Sequence, residues 1–202
     1  MSVFTKRLDD FLVYVDDMSA IHGVLDRIIE WAQAGQAKVT LAGVVESLTP
    51  WTTDARGIAT EVKNELANSV ANQLTELSKT LMDSNLDVSV KVYQGDPATV
   101  LVQAALQDEY DLLLKAHNPV GGRFSHALSS IDRRLLRACP CPIAILRPQQ
   151  PDHAGRLLAA VNSDPDQKDQ RPITDNILAV ATRAALAGFR ELHILHVWSL
   201  YG

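Results

Sequence analysis

The sequence has 202 residues and a formal net charge of −5, from 19 Lys and Arg against 24 Asp and Glu. This acidic balance argues against nucleic acid or an anionic membrane as a partner, because both bind basic protein surfaces. No stretch approaches about 18 uninterrupted apolar residues, so no transmembrane helix is predicted. The N-terminus lacks an apolar signal core, and two cysteines are too few for a disulfide framework. We therefore predict a cytoplasmic protein.

Apolar runs and amphipathic segments alternate in the first part of the chain. Residues 11–15 form a short, continuous apolar run, which is typical of a strand buried on both faces of a parallel sheet. Apolar side chains then repeat at helical spacing, with Ser19 as the predicted N-cap and Gly35 as the predicted C-terminal cap. A second strand is predicted at residues 38–45, which completes a βαβ unit with a right-handed crossover.

The same alternation continues along the chain. Apolar residues three or four positions apart predict one long amphipathic helix at 58–81, and the alternating run at 87–93 predicts a strand near a sheet edge. Asp96 is predicted to cap the next helix, with Pro97 at its first position. The last elements predicted in this part are a strand at 111–115, a helix at 128–138 and a strand at 142–146.

Five strands that alternate with four helices predict an α/β domain with an open parallel sheet and helices on both faces. We place this domain at residues 1–148. Residues 149–155 are polar and contain proline, which is typical of a linker. Beyond the linker, residues 156–202 repeat the opening strand, helix and strand, which predicts the truncated start of a second copy. Such a piece buries little surface alone, so we expect it to dock on the first domain or on another chain.

Ligands of an open parallel sheet bind beyond the carboxyl ends of the strands, where the strand order reverses. Three segments are predicted to meet at this edge: residues 15–17, residues 44–46 and residues 116–130. This edge is where we expect a binding site.

Five short motifs occur in order along the predicted domain. They are Val15-Asp16, Gly43-Val44-Val45-Glu46, Tyr93-x-Gly95-Asp96-Pro97, Asp111-Leu112-Leu113-Leu114 and Arg137-Ala138-Cys139-Pro140-Cys141-Pro142-Ile143. Together they resemble the universal stress protein family, in particular its tandem-domain, UspE-like members, over residues 8–148 and in part over 156–199. The resemblance implies an adenine nucleotide alpha hydrolase-like fold with strand order 3-2-1-4-5, and a role in the stress response.

Many members of that family bind ATP, and the resemblance implies which positions would contact a nucleotide here. Asp16, followed by Asp17, matches the acidic position after the first strand, and Val45 lies in the segment that faces adenine. The family's phosphate loop is written G-x2-G-x9-G-[ST]. Its three glycines and its hydroxyl fall on Ala116, Pro119, Ser129 and Ser130.

All three loop glycines are thus replaced, which argues against a strongly bound triphosphate. Glycine lets the backbone approach a phosphate, whereas Pro119 fixes φ and removes one N–H donor. Gly121 and Gly122 remain, and Arg123 could replace the lost backbone donors with a charged fork. No cofactor is therefore predicted with certainty, and ATP or AMP remains open as a ligand.

Several of these residues also fit purely structural roles. Asp16 fits a helix cap as well as it fits an adenosine contact. Ser125 or Ser130 is predicted to cap the helix after the loop, and the N-terminus of that helix attracts anions in any case. Cys139 and Cys141 flank a proline, unlike a C-x-x-C redox motif, and are predicted to be small residues near the core.

The sequence favours a protein without enzymatic activity. It contains no recognisable set of nucleophile, base and orienting residue and no P-loop motif, although weak ATP hydrolysis remains open. His117 and His126 bracket the loop without a defined ligand motif, so no metal site is predicted.

The fifth strand is the predicted interface for self-association. Tandem copies in the family resemble pseudo-dimers that pair around this strand, which implies a homodimer or pseudo-dimer here. We therefore expect a regulator or sensor of the stress response without strong ATP binding. The alternatives are an ATP- or AMP-binding member and a dimerising scaffold for an unidentified protein partner. The candidate interface residues are Ile143, Ala144, Ile145 and Leu146.

Overall fold

The computed structural model describes residues 8–46, 55–118, 127–147, 155–161, 171–186 and 191–196. The chain divides into two compact units, an N-terminal unit (Arg7–Pro148) and a C-terminal unit that contains Gln149–Gly202. None of the described helices combines the length and the apolar character needed to cross a bilayer. The elements of the N-terminal unit are β1 (Asp10–Tyr14), α1 (Met18–His22), α2 (Leu25–Gly35), β2 (Lys38–Val45), α3 (Ala55–Asp83), β3 (Val88–Gln94), α4 (Pro97–Gln107), β4 (Leu112–Ala116), α5 (Ser130–Ala138) and β5 (Ile143–Leu146).

The N-terminal unit contains a five-stranded sheet in the order β3-β2-β1-β4-β5, and each pair of neighbours is parallel. This confirms the predicted α/β class and the strand order. The strand order reverses between β1 and β4, because the chain adds β2 and β3 on one side and then returns to add β4 and β5 on the other. Side chains of β1 enter two separate core clusters, so the sheet is covered on both faces.

The two cores use different helices. Val13 packs in a cluster with Ile28 of α2 and Leu74 of α3. Leu12, its neighbour on β1, packs in the other cluster with Leu101 of α4. Successive side chains of a strand point to opposite faces, which explains why the apolar run at residues 11–15 is continuous rather than alternating.

The first helical segment differs from the prediction. A turn at Gly23 and Val24 divides it into α1 and α2. Ser19 is not the N-cap, because Asp17 holds that position and its carboxylate accepts a hydrogen bond from the Ala20 N–H at 2.9 Å. The predicted C-terminal cap is also displaced by one residue. Gln36 is the C-cap of α2, in the left-handed conformation at φ 54°, and its N–H donates to two carbonyls of the last turn.

Helix α3 packs closely on β2, and Gly43 makes this approach possible. A Cβ atom at Gly43 would clash with Val70 Cγ1 and would lie 3.0 Å from Leu74 Cδ1. The absent side chain therefore lets α3 lie directly over the carboxyl half of β2. Because the residues that follow Gly43 end β2, this contact also fixes α3 beside the edge where a ligand would bind.

The C-terminal unit contains β6 (Arg156–Val161), α6 (Arg171–Leu186) and β7 (Glu191–His196). The two strands pair in parallel, from Arg156 opposite Glu191 to Val161 opposite His196. The predicted strand, helix and strand are therefore present in this unit. Large apolar side chains on both strands, such as Leu158 and Ile194, are mostly exposed.

Candidate functional site

A cleft of about 340 Å³ lies at the carboxyl ends of β1 and β2. The residues that follow β1 form one wall, the first residues of α4 and α5 contribute to the rim, and α3 closes another side. This is the edge at which open parallel sheets bind ligands. The lining residues are Tyr14, Val15, Asp16, Asp17, Met18, Val44, Glu46, Val70, Gln73, Leu74, Pro97 and Ile131.

A buried lysine connects the walls of this cleft. Lys115, the second-last residue of β4, has a side chain that is 0% exposed. Its Nζ lies 2.8 Å from Asp16 Oδ2 and 3.2 Å from Asp132 Oδ1, and it donates a hydrogen bond to the Ala116 carbonyl at 3.0 Å. We call Asp16, Lys115 and Asp132 the Lys115 cluster. It joins the end of β1, the end of β4 and the first turn of α5.

The N-terminus of α5 is held by a capping box. Ser129 Oγ accepts a hydrogen bond from the Asp132 N–H at 3.1 Å, and Asp132 Oδ2 accepts one from the Ser129 N–H at 2.8 Å. Ser129 is therefore the N-cap, and the prediction of Ser130 is wrong by one residue. Ser125, the other predicted cap, lies outside the described residues. The positive end of the helix dipole is thus already complemented by the carboxylate of Asp132.

The environment of Asp132 favours its charged form. Burial works to raise the pKa of this carboxyl, but the backbone N–H of Ser129, the charge of Lys115 and the hydroxyl of Ser129 together hold the pKa below its usual value. Asp132 is itself 0% exposed. A buried carboxylate that keeps its charge requires a cation in contact with it, and Lys115 provides that cation.

The charged side chains that line the cleft are acidic. They are Asp16, Asp17 and Glu46, and no Lys or Arg is among the described lining residues. Burial raises the pKa of Tyr14, which also lines the cleft, and the negative charges of Asp16 and Glu46 raise it further. With Lys115 already paired to two carboxylates, the described residues around the cleft carry a net negative charge. Such a charge disfavours a triphosphate.

The predicted site residues are only partly brought together. Asp16 and Asp17 line the cleft, and Asp17 also caps α1. Val45 is buried beside the cleft, and its carbonyl accepts a hydrogen bond from the Gly95 N–H at 3.0 Å. The carbonyl of Ala116 accepts from Lys115. The carboxylate of Asp17 and the carbonyls of Val45 and Ala116 are thus hydrogen-bonded within the protein.

The remaining predicted residues lie at or near the phosphate-loop region. Ser129 is the N-cap of α5, as described above, and Ser130 is the first helical residue, with an exposed side chain. Four predicted loop residues fall outside the described residues, so their contribution to the site stays a prediction. They are Pro119, Gly121, Gly122 and Arg123.

Lys115 and Asp132 were not among the predicted site residues, although the sequence around each carries a signal. Lys115 is a lysine inside an apolar run that predicts a fully buried strand, and such a lysine requires an acidic partner. Asp132 stands three residues after Ser129, which is a spacing typical of a capping box. Together with Asp16, these two signals indicated a charge cluster at the end of the sheet.

The predicted interface strand β5 lies at an edge of the five-stranded sheet, where it pairs with β4. Ile143, Ala144 and Ile145 are half-buried, and Leu146 is buried. Three of the four side chains pack on the two cores, whereas Ile145 belongs to neither core cluster. Among the described residues of β5, Ile145 is therefore the apolar side chain with the least packing inside the unit.

Comparison with known proteins agrees with this architecture. Universal stress protein E of Photorhabdus laumondii is 31% identical over 85 residues, which cover 40% of this chain and 26% of that protein. The universal stress protein UspA from Lactobacillus plantarum has a TM-score of 0.63 at 20% identity, over 71% of this chain and all of that chain. A protein of unknown function from Pseudomonas aeruginosa PAO1 has a TM-score of 0.69 at 20% identity, over 93% of this chain and 60% of that one.

This chain thus spans less than half the length of the curated relatives that it matches. These two structures, at 20% identity, support the fold. The model of the universal stress protein family matches residues 8–147, which is well over half of the sequence and nearly all of the N-terminal unit. The chain therefore belongs to the universal stress protein family.

Proposed function

We propose that this chain is a non-enzymatic regulator or sensor of the stress response whose cleft does not bind ATP strongly. The observation that carries the proposal is the ion pair of 2.8 Å between Asp16 and the buried Lys115. Asp16 is the acidic residue that the family resemblance assigns to adenosine. A ligand that used its carboxylate would compete with a lysine that has no access to solvent and needs a counter-charge.

Two further features support weak nucleotide binding. The N-terminus of α5, which would attract a phosphate, is capped by Ser129 and holds the carboxylate of Asp132. The described lining of the cleft adds the acidic side chains of Asp17 and Glu46 without a basic one. A nucleotide would therefore have to displace internal hydrogen bonds and enter a negative field.

Calorimetric titration of the full chain with ATP and Mg²⁺ tests this proposal. We expect no binding with micromolar affinity for ATP or for AMP, because the groups that would bind them are already paired within the protein. The matched variants are Asp16→Asn, which changes the cleft, and Asp26→Asn, which changes an exposed carboxylate in the first turn of α2. Micromolar affinity that is lost in Asp16→Asn and kept in Asp26→Asn would favour the ATP- or AMP-binding alternative, and weak ATP hydrolysis would then be tested on the same pair.

A dimerising scaffold is the second candidate, and β5 supports it. The strand is at a sheet edge, and its half-buried apolar side chains have the composition of an interface core. We propose that two copies of the domain pair through residues 143–146. The C-terminal unit, as the proposed start of a second domain copy, contributes no fifth strand from its described residues.

Light scattering of the full chain tests the pairing. We expect a dimer that Ile145→Glu dissociates, because a charge on this strand would be desolvated in the interface. Ile145 packs in neither core cluster, so the variant should keep its circular dichroism spectrum. Val62→Glu on the exposed part of α3 is the matched control and should leave the dimer intact. A wild-type protein that stays monomeric at high concentration would contradict the proposal.

A further inference from the structure

Cys139 and Cys141 form a close thiol pair between α5 and β5. Cys139 is the C-cap of α5, and its N–H donates to the Leu135 carbonyl at 2.9 Å. Cys141 lies just before β5, and the two Sγ atoms are 3.5 Å apart. Both side chains are half-buried against the core cluster that contains Leu135. They are the two cysteines of the whole sequence, so each is the natural reaction partner of the other.

The two thiols are chemically unequal. A hydrogen bond from Cys141 lowers the pKa of Cys139 to about 7, against the opposing effect of burial, and the backbone N–H of Cys141 contributes to the lowering. The pKa of the Cys141 thiol is raised, first by this hydrogen bond and then by burial. A lowered pKa gives Cys139 a larger thiolate fraction near neutral pH than an ordinary thiol has. Cys139 is the nucleophile of the pair.

We propose that Cys139 and Cys141 are a peroxide-oxidised dithiol that closes reversibly to an intramolecular disulfide. The Cys139 thiolate attacks one oxygen of a hydroperoxide and breaks the O–O bond, which gives a sulfenic acid and releases the other oxygen as hydroxide or alkoxide. The Cys141 sulfur then attacks the sulfenic sulfur, so that the S–S bond forms, the S–O bond breaks and water leaves with the Cys141 proton. The pair loses two electrons, and the peroxide gains them.

The position of the pair favours a disulfide over a bound metal. A disulfide requires the sulfur atoms to close from 3.5 Å to about 2.05 Å, which is a movement within the reach of side-chain rotation and a small backbone shift. Structural zinc sites, the kind that thiolates favour, use four ligands. Among the described residues no third Cys, His, Asp or Glu joins the two thiols in a metal-binding group.

The disulfide would act on the edge of the sheet. The carbonyl of Pro142, next to Cys141, accepts a hydrogen bond from the Leu113 N–H at 3.0 Å, so the chain is anchored to β4 directly after the thiol pair. Closure would therefore pull the C-terminus of α5 towards the first residues of β5. This oxidation is independent of nucleotide binding and of dimerisation, because its chemistry needs only the two thiols and a peroxide.

Titration of the reduced full chain with hydrogen peroxide tests the proposal. We expect one equivalent of peroxide to remove both free thiols and to lower the intact mass by two hydrogen atoms. On a non-reducing gel, the oxidised protein should still migrate as a monomer. Dithiothreitol should restore both thiols. In Cys141→Ser, dimedone should trap a sulfenic acid on Cys139, since the serine hydroxyl can still donate a hydrogen bond to it.

The matched variant Cys139→Ser keeps the less acidic thiol alone. We expect its thiol to be oxidised about tenfold more slowly than the thiol of Cys141→Ser, in line with the smaller thiolate fraction. Equal rates in the two variants would overturn the assigned roles of the two thiols. A wild-type product that gains oxygen atoms, or one that is linked between chains, would overturn the intramolecular disulfide. Protection of both thiols from peroxide by one equivalent of Zn²⁺ with submicromolar affinity would overturn the redox role in favour of a metal site.

Discussion

Replacement of Lys115 by alanine is expected to destabilise the N-terminal unit by about 3–5 kcal/mol, because it removes one partner of a buried ion pair. The Lys115 side chain is 0% exposed, and so is that of Asp132. Asp16 can regain water because it lies at the cleft, whereas the Asp132 carboxylate would keep its charge without a cation. Urea unfolding, followed by the fluorescence of Trp31 after replacement of Trp51 and Trp198 by Phe, measures the loss in this unit.

A surface lysine provides the matched control for this substitution. Lys79 pairs with Glu76 at 2.7 Å, but the two side chains are 61% and 72% exposed. Lys79→Ala should therefore change the free energy of unfolding by no more than about 0.5 kcal/mol. If Lys115→Ala were as mild as Lys79→Ala, the buried Asp132 carboxylate would not depend on Lys115 for its counter-charge, which would contradict this prediction.

The fold was largely predictable because its determinants are local. The continuous apolar run of β1 indicated burial on both faces, and Asp96 and Pro97 marked the start of α4, where the structure has them as N-cap and first residue. The division between α1 and α2 was not predictable in this way. Ile21 before the break and Val24 within it are both buried, so apolar spacing continues through a turn that interrupts the helix.

The site was less predictable because its contacts join distant parts of the chain. The edge of the sheet and the role of Asp16 as a lining residue followed from the topology. Whether Asp16 caps a helix or contacts a ligand did not follow from the topology, because the role of Asp16 depends on a lysine almost a hundred residues away. The structure shows a third outcome: Asp17 caps α1, and Asp16 pairs with Lys115. A partner at that separation is set by tertiary packing, which periodicity and motif spacing do not describe.

Asp132→Ala is expected to cost about 3–5 kcal/mol, similar to the loss of Lys115, because it breaks the same buried pair from the other side. It also removes the acceptor for the Ser129 N–H in the capping box of α5. Asp132→Asn is the matched control, since its amide oxygen can still accept that hydrogen bond while the charge is lost. We expect Asp132→Asn to cost about 1–3 kcal/mol in the same urea measurement. The comparison with Asp132→Ala thus distinguishes the contribution of the charge from that of the capping hydrogen bond.

Wild type and Asp132→Asn are expected to differ in free energy of unfolding. The pH dependence of that difference tests whether Asp132 is charged in the folded protein. Its pKa in the folded state lies below the usual value of 3.8, so the stabilising effect of its charge is fully present above 3.8 and is lost as the pH falls through the lower folded pKa. The difference in free energy of unfolding between wild type and Asp132→Asn should therefore be constant from pH 7 to about pH 5 and should shrink below about pH 4. A difference that grows on acidification would mean that Asp132 is protonated more readily in the folded state than in the unfolded chain. Lys115 would then have no charged partner on α5 and would rely on Asp16 alone for a counter-charge.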